Sequence, residues 1–345
     1  REFADYLRAP GALALNSCTA GLHTALAALN VGPGDEVITT SLTFAATVNV
    51  IEHVGARPVL VDVEEDTLNL DPSKVEAAIT SRTQAIIAVH FAGHPVELDL
   101  LRAMSARHSL VLIEDAAHAL PARYRGEPIG SGENPVAFSF YATKNLTTGE
   151  GGMLTGDPEL LERARILSLH GMSRDAWKRY HKGGSWFYEV VTPGFKYNMT
   201  DIQAALGLVQ LRRLESFHTR RREIVAVYDE GFADDPALEV PRVRPQVEHA
   251  WHLYVLRLRQ DALTIGRDRF IEELTERNIS TSVHFIPIHL HPYYRDRYAF
   301  AADAFPTAYV NYQRLISLPL FHGMSDEDVA DVVGAVREVA RTYRR

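Results

Sequence analysis

At 345 residues, with 46% hydrophobic and 23% charged side chains, the chain has the composition of a globular protein and exceeds one ordinary core. A formal net charge of -8, from 36 basic against 44 acidic residues, excludes a general nucleic-acid surface, and no apolar run reaches the roughly 18 residues of a membrane span or opens the chain as a signal peptide, so a cytoplasmic protein is expected. The single cysteine, Cys18, excludes an internal disulfide and a cysteine-based zinc site; the fifteen histidines contain no His-Glu-x-x-His, and no metal is expected.

Arg1 to Leu7 has helical apolar spacing without a preceding cap, like the latter part of a helix whose beginning is absent. From Ala12 to about Gly156, short Val/Ile/Leu-rich runs alternate with helical patterns, the signature of a mostly parallel sheet covered on both faces. Strands are predicted at Glu36 to Thr39, Pro58 to Asp62, Ala85 to Val89, Leu110 to Glu114, Val136 to Phe140 and Gly152 to Thr155. Helices are predicted near Thr19 to Leu29, Phe44 to His53, Pro72 to Ile79 and Leu98 to Arg107, with Asp71-Pro72 as N-cap and first helical residue. Beyond Pro158 the pattern turns helical, and Asp201 to Tyr228 reads as one long helix or two in succession. Trp251 to Arg259 then reads as strand, Arg267 to Arg277 as helix, Ser280 to Phe285 as strand and Asp326 to Tyr343 as a closing helix. The expected architecture is α/β: a large domain over residues 1–230 with a mostly parallel central sheet, and a smaller C-terminal α+β domain over 231–345.

Doubly wound sheets bind ligands beyond the carboxyl ends of their strands, so residues just past the strands are the first candidates. Lys144 follows the strand ending at Phe140 and precedes Gly149-Glu150-Gly151-Gly152. An amine held there is partly desolvated, which lowers its pKa and lets it form a Schiff base. A lysine taken at random is more often a solvated loop residue, and the neighbours decide. Asp115 ends its strand in Glu114-Asp115-Ala116-Ala117-His118, where a carboxylate suits a pyridinium nitrogen as readily as it suits a helix cap. His118 could support the same ring or its 3'-hydroxyl. Asn16-Ser17-Cys18-Thr19-Ala20 opens a helix whose first-turn N–H groups form a phosphate cup, with Thr19 adding a hydroxyl and Ala20 a backbone donor. Ser139 could supply a further hydroxyl, and Phe44 could stack on the ring or belong to the core. Together these suit pyridoxal 5'-phosphate (PLP).

Phosphate cup, stacking aromatic, ring-nitrogen acid and Schiff-base lysine fall in the order of an aspartate-aminotransferase-like fold (PLP fold type I). The chain resembles the DegT/StrS family of PLP-dependent nucleotide-sugar aminotransferases. The resemblance runs through Gly32-Pro33-Gly34-Asp35-Glu36-Val37, Glu114-Asp115-Ala116-Ala117-His118, Ser139-Phe140 with Lys144, Gly149-Glu150-Gly151-Gly152 and Met199-Thr200-Asp201-Ile202-Gln203, and covers essentially the whole chain. It implies a homodimer with shared active sites, and ping-pong transfer of an amino group from glutamate, which leaves as 2-oxoglutarate, to a keto group of a nucleotide-linked sugar. Lys144 would serve as internal aldimine and then as base, with pyridoxamine phosphate between the two half-reactions. The segment Gly194 to Asn198 would reach the neighbouring subunit's cofactor phosphate through Lys196 or Asn198, where many members carry asparagine and arginine. His170-Gly171-Met172, His249-Ala250-Trp251-His252-Leu253 and His284-Phe285 are similar to enzymes aminating C4 of nucleotide sugars, including the UDP-4-amino-4-deoxy-L-arabinose--oxoglutarate aminotransferase type. His284 and Arg174 are candidate substrate contacts: His284 could reach the site or belong to a rigid connection, and Arg174, with Lys178, Arg179 and Lys182, could meet a diphosphate or form a solvated loop. A PLP-dependent sugar dehydratase of the same fold has histidine in place of the lysine, and a non-enzymatic regulator with a PLP-type fold predicts an eroded lysine or acid; Lys144 and Asp115 argue against both. A nicotinamide dehydrogenase lacks its Gly-x-Gly-x-x-Gly here.

Overall fold

The computed structural model describes residues 1–173 and 188–345. In its first half, strands β1 (Ala12–Leu15), β2 (Glu36–Thr40), β3 (Arg57–Val61), β4 (Thr83–Val89) and β5 (Val111–Asp115) lead to a short hairpin, β6 (Arg123–Tyr124) and β7 (Glu127–Pro128). Strands β8 (Val136–Ser139) and β9 (Gly152–Thr155) follow. All but the hairpin form one sheet in the order β1-β9-β8-β5-β4-β2-β3. The strands from β8 to β3 pair in parallel, while β9 runs against both β8 and β1.

Alternation along the strands feeds two cores. Ile38, Ile86, Leu112 and Phe138 enter one buried cluster, and their neighbours Val37, Ile87, Ile113 and Ala137 enter the other. Helices α1 (Glu2–Leu7), α4 (Pro72–Ala78) and α5 (Leu98–His108) contribute Phe3, Leu7, Val75, Leu98 and Leu101 to the first; α2 (Cys18–Ala28), α3 (Ala45–His53) and α6 (Pro158–Ser168) contribute Leu22, Leu26, Val50, Ile51 and Leu160 to the second. Helix α2 is buried nearly all round, and its small residues let it lie close on the sheet: a Cβ on Gly21 would meet the Ala137 Cβ at 3.2 Å. Asp71 caps α4, accepting from the Ser73 N–H with Pro72 in the first turn.

The segment from Asp201 is a single helix, α7 (Asp201–Phe232), closed at its start by a reciprocal cap between Thr200 and Gln203. Its last turns carry Ile224, Val225, Tyr228 and Phe232 into a third core. That core lies under an antiparallel sheet of β10 (Leu238–Glu239), β12 (Tyr254–Leu258) and β13 (Leu315–Leu318), while β11 (Val247–Glu248) pairs with β6. Helices α8 (Arg267–Glu276) and, after the short α9 (Pro292–Tyr298) and α10 (Pro306–Tyr312), α11 (Asp326–Thr342) complete the third core.

One strand expectation is corrected and one strand was not anticipated. Ser280 to Phe285 is not a strand: only Ser282 forms an isolated bridge, to Ser317, and the fully buried Leu315–Leu318 takes the place beside β12. Its polar start, Ser280-Thr281-Ser282, cannot fill a core strand, and Phe285 leaves the sheet for a cavity. Ala12–Leu15 was not among the predicted strands, because alanine and leucine carry little strand preference; pairing with β9 makes it one. Among the described residues, no helix is long and apolar enough to cross a membrane.

Candidate active site

Strands β5 and β8 end side by side, with Asp115 paired to Ala137. The chain leaving β8 makes an excursion closed at its base, where Phe140 N–H donates to Gly151 O at 2.8 Å and Thr148 N–H to Phe140 O at 2.9 Å. Lys144 sits in this loop. The next residue, Asn145, is buried and donates through Nδ2 to Leu120 O (2.9 Å) and Ala250 O (2.8 Å), which anchors the lysine's backbone. On the other side, β1 delivers Ser17 to the start of α2, where Ser17 Oγ accepts from Ala20 N–H at 3.0 Å. The turn is pressed against β9: a Cβ on Gly152 would stand 2.3 Å from the Ser17 carbonyl carbon and 2.6 Å from Cys18 N.

A cavity of about 450 Å³ opens among these strand ends. Seven of the predicted site residues line it: Thr19, Phe44, Asp115, His118, Ser139, Lys144 and His284. Ala20 lies off the wall, its N–H directed to Ser17 Oγ; the N–H groups of Cys18 and Thr19, at the first turn, are the ones without an intrahelical acceptor. Lys196 and Asn198 also lie off this wall, in isolated bridges to Leu169 and Leu15. Arg174 lies outside the described residues, as do Lys178, Arg179 and Lys182.

Both oxygens of the buried Asp115 are fixed. Thr47 Oγ1–H donates to Oδ2 at 2.8 Å, and Ala117 N–H donates to Oδ1 at 3.1 Å. Because the Thr47 proton is committed to the carboxylate, Thr43 Oγ1–H is the donor in its 2.9 Å contact with Thr47. Cys18 Sγ lies 3.7 Å from Oδ1, and burial, reinforced by Asp115, pushes its thiol up, so it stays protonated. Burial pushes the Lys144 amine down to about 8; Cys18 and Asp115 act in the other direction, Cys18 only where its thiol is ionised. Near neutral pH an appreciable fraction of this amine is therefore unprotonated and nucleophilic.

The remaining wall is aromatic. Phe44 and Phe285 rings lie 6.0 Å apart, His118 stacks on Phe285 at 5.8 Å, and His118 meets His252 at 4.4 Å. Phe44 is 63% exposed at the N-cap of α3, which rules out the core alternative. Burial first and Lys144 second hold His118 and His252 well below the usual imidazole range and lower His284 to about 4. These rings are neutral at physiological pH. The donor set fits PLP: an amine for an aldehyde, a fixed carboxylate for a ring nitrogen, aromatic planes for the ring, and a helix N-terminus with Thr19 and Ser139 hydroxyls for a phosphate.

A model of the DegT/DnrJ/EryC1/StrS aminotransferase family matches residues 1–337. The chain belongs to that family. It is therefore a transaminase with the fold of the PLP-dependent (fold type I) sugar aminotransferases. Over 343 residues it is 52% identical to the spore coat polysaccharide biosynthesis protein SpsC of Bacillus subtilis, covering 99% of this chain and 88% of SpsC. Among solved structures it is similar to the sugar aminotransferase Spr1654 from Streptococcus pneumoniae in its PMP form (TM-score 0.93, 38% identity, 99% of this chain and 90% of that one). It is also similar to S. venezuelae DesV in complex with a ketimine intermediate (TM-score 0.90, 39% identity, 98% and 87%).

Sequence reasoning missed Thr47, Cys18, Asn145, His252 and Phe285 as cavity or supporting residues. Thr47 was within reach, since it lies three residues from Phe44 at the start of α3 and so on the same face. His252 comes 108 residues after Lys144, and no local pattern connects them.

Proposed function

We propose that the chain moves an amino group from glutamate to a keto group, at C4, of a nucleotide-linked sugar, using PLP held at Lys144. The observation that carries this reading is the half-buried Lys144 amine, lowered to about 8, set in one cavity with the doubly fixed Asp115 carboxylate and an aromatic wall. Spore coat polysaccharide biosynthesis, named for the 52% identical SpsC, supports a sugar acceptor, as do the sugar aminotransferases among the structural relatives. The C4 assignment rests on the resemblance around His170, His249 to Leu253 and His284-Phe285.

PLP, when bound, supplies an aldehyde that takes up and returns the amino group and a ring that accommodates the electrons released at the substrate carbon. This chain's residues do the rest. Lys144 Nζ serves as nucleophile while unprotonated and as the base that takes and returns the proton at the substrate carbon; a value near 8 suits both tasks. Asp115 keeps the ring nitrogen protonated. The first turn of α2, through the Cys18 and Thr19 N–H groups and the Thr19 hydroxyl, holds the phosphate together with Ser139, while Ala20 N–H stays with Ser17 Oγ; Phe44 and His118 bracket the ring. His284, neutral and hydrogen-bonded to Ser317 Oγ at 2.8 Å, turns its other nitrogen to the sugar, and Arg174 meets its diphosphate. Glutamate enters first and leaves as 2-oxoglutarate before the keto sugar enters, so one cavity serves both substrates in turn.

The functional unit in this reading is a homodimer, with Lys196 or Asn198 reaching the other subunit's cofactor phosphate. Its support is an apolar stripe on α7, Ile202 (78% exposed), Leu206 (52%) and Val209 (54%), at the i, i+4, i+7 spacing of one helix face. The test is to present a panel of 4-keto and 3-keto nucleotide sugars to the glutamate-loaded enzyme and read products by mass. An amino sugar from a 4-keto substrate is expected; amination of 3-keto substrates alone removes the C4 assignment, and no aminated nucleotide sugar at all removes the acceptor class.

A further inference from the structure

One buried imidazole in the cavity has no role in the chemistry described so far. His252 Nε2 lies 3.4 Å from Lys144 Nζ, and its Nδ1 lies 3.3 Å from Asn145 Oδ1. The amide of Asn145 cannot be turned over without loss, because its Nδ2 donates to both Leu120 O and Ala250 O. Its Oδ1 therefore faces His252, and an amide oxygen only accepts, so the His252 proton resides on Nδ1. The lone pair of Nε2 is left pointing at the lysine amine. The ring is held in place by its contact with His118 and by Arg221 Nη1, which donates to Trp251 O at 3.0 Å and approaches His252 O at 3.4 Å.

We propose that His252 is a positioning residue for Lys144: with its tautomer set by Asn145, it accepts a hydrogen bond from Nζ and holds the amine in the cavity whenever Lys144 is not joined to the cofactor. This rests on the reading of Lys144 given above and deepens it. A lysine side chain has four rotatable bonds, and after each transfer the freed amine has to stay within reach of the substrate carbon to move a proton there. An acceptor with a committed tautomer restricts that wandering without supplying a competing charge, since burial keeps the imidazole neutral. Neighbouring residue Asn145 does two things through one side chain, anchoring the lysine's loop and orienting the lysine's acceptor.

The groups facing Nζ are Cys18 from α2, Asp115 from β5, His118 from the turn after β5, and His252 and His284 from the segments before β12 and after α8. Tyr141 and Glu150 line the cavity from the lysine's own loop. Only His252 is within hydrogen-bonding distance of Nζ among the described residues. Loss of its nitrogen removes an acceptor for the ammonium form and so lowers the amine's titration midpoint.

The experiment is competitive acetylation of the full chain freed of cofactor, with peptide mass spectrometry reading the Lys144 midpoint between pH 6 and 10. Wild type is compared with His252→Phe, which keeps a ring against His118 but removes both nitrogens, and with His252→Gln, which returns a carbonyl oxygen acceptor. The expected result is a midpoint about one pH unit lower in His252→Phe, the tenfold change that accompanies losing one hydrogen bond to a charged group. At least half of the shift returns in His252→Gln. In the loaded enzyme the same ranking is expected in kcat, with KM for glutamate unchanged. Equal midpoints in all three chains, or a His252→Gln chain that behaves as His252→Phe, overturn the proposal. If His252→Phe fails to reach the wild-type circular dichroism, His252→Asn, whose shorter amide stops short of Nζ, takes its place in the comparison. A Lys144→Ala chain that keeps the cofactor's protonated Schiff-base absorbance defeats the reading of Lys144 itself; loss of that absorbance with unshifted His252 midpoints defeats this inference alone.

Discussion

Gly152→Ala is the smallest change that strikes the phosphate end of the cavity without touching a group assigned to the chemistry. The added Cβ would lie 2.3 Å from the Ser17 carbonyl carbon, 2.5 Å from its oxygen and 2.6 Å from Cys18 N, all of them backbone atoms. Carbon atoms pack at about 3.5–4.0 Å, so the start of α2 has to retreat from β9 by about 1 Å. No flexible side chain is available to absorb the clash. Overpacking of this kind costs about 1–3 kcal/mol of stability. For a chain of this length the unfolding entropy is about 0.7 kcal/mol per degree, so the melting temperature falls by about 1.5–4 °C. Displacement of the free Cys18 and Thr19 N–H groups loses at least one charge-assisted hydrogen bond to the cofactor phosphate, worth about 1.5–3 kcal/mol, or about ten- to a hundredfold in Kd. The assay is titration of the cofactor-free chain with PLP, followed by absorbance, beside a melting scan. Gly334→Ala in α11, where a Cβ meets nothing within 4 Å, is the control. A Gly152→Ala chain that binds PLP with wild-type Kd refutes the placement of the phosphate against the Ser17-Cys18 turn.

Other outcomes follow from the same packing and burial. The control itself is predicted to gain about 0.5–1 kcal/mol, since an exposed helix-interior glycine is replaced by a better helix former; a lower melting temperature contradicts this. Ile202→Glu with Leu206→Glu places two charges on the apolar stripe of α7 and is expected to halve the sedimenting mass; an unchanged sedimentation coefficient removes that stripe from the dimer interface. Burial lowers His23 and His94 from 6.5 to about 4 in the folded chain. Between those values the unfolded chain binds more protons, so the stability they contribute is complete above about pH 6.5 and is lost as pH falls toward 4. The loss is up to about 1.4 kcal/mol per pH unit for each histidine. Melting temperatures recorded from pH 7.5 down to 5 should therefore decline, and a flat profile contradicts the buried neutral state of these rings.

The parallel strands were legible because β2, β4 and β5 are largely buried and centre on apolar residues, Val37-Ile38, Ala85 to Val89 and Val111 to Ile113, and α4 was legible from Asp71-Pro72. Cavity residues were found at a strand end or in the loop leaving one, as Asp115 closes β5 and Lys144 lies in the loop after β8, since a strand end fixes position in a doubly wound sheet. What escaped has a tertiary cause. Ala12–Leu15 is a strand only because β9 lies beside it, and Ser280 to Phe285 lost its place to a buried run thirty residues later. Phe44 could not be divided between core and cavity from sequence, since only the cavity beside α3 leaves its ring uncovered. His252 depends on Asn145 and Lys144, two residues far away in the chain, for its whole significance.

The central claim is a covalent bond between Lys144 Nζ and the coenzyme, and borohydride reduction of the PLP-treated chain followed by peptide mass spectrometry addresses it directly. The phosphopyridoxyl mass is predicted on the peptide carrying Lys144 and on no other. A label on a different amine, or a chain that takes up no coenzyme, contradicts the assignment.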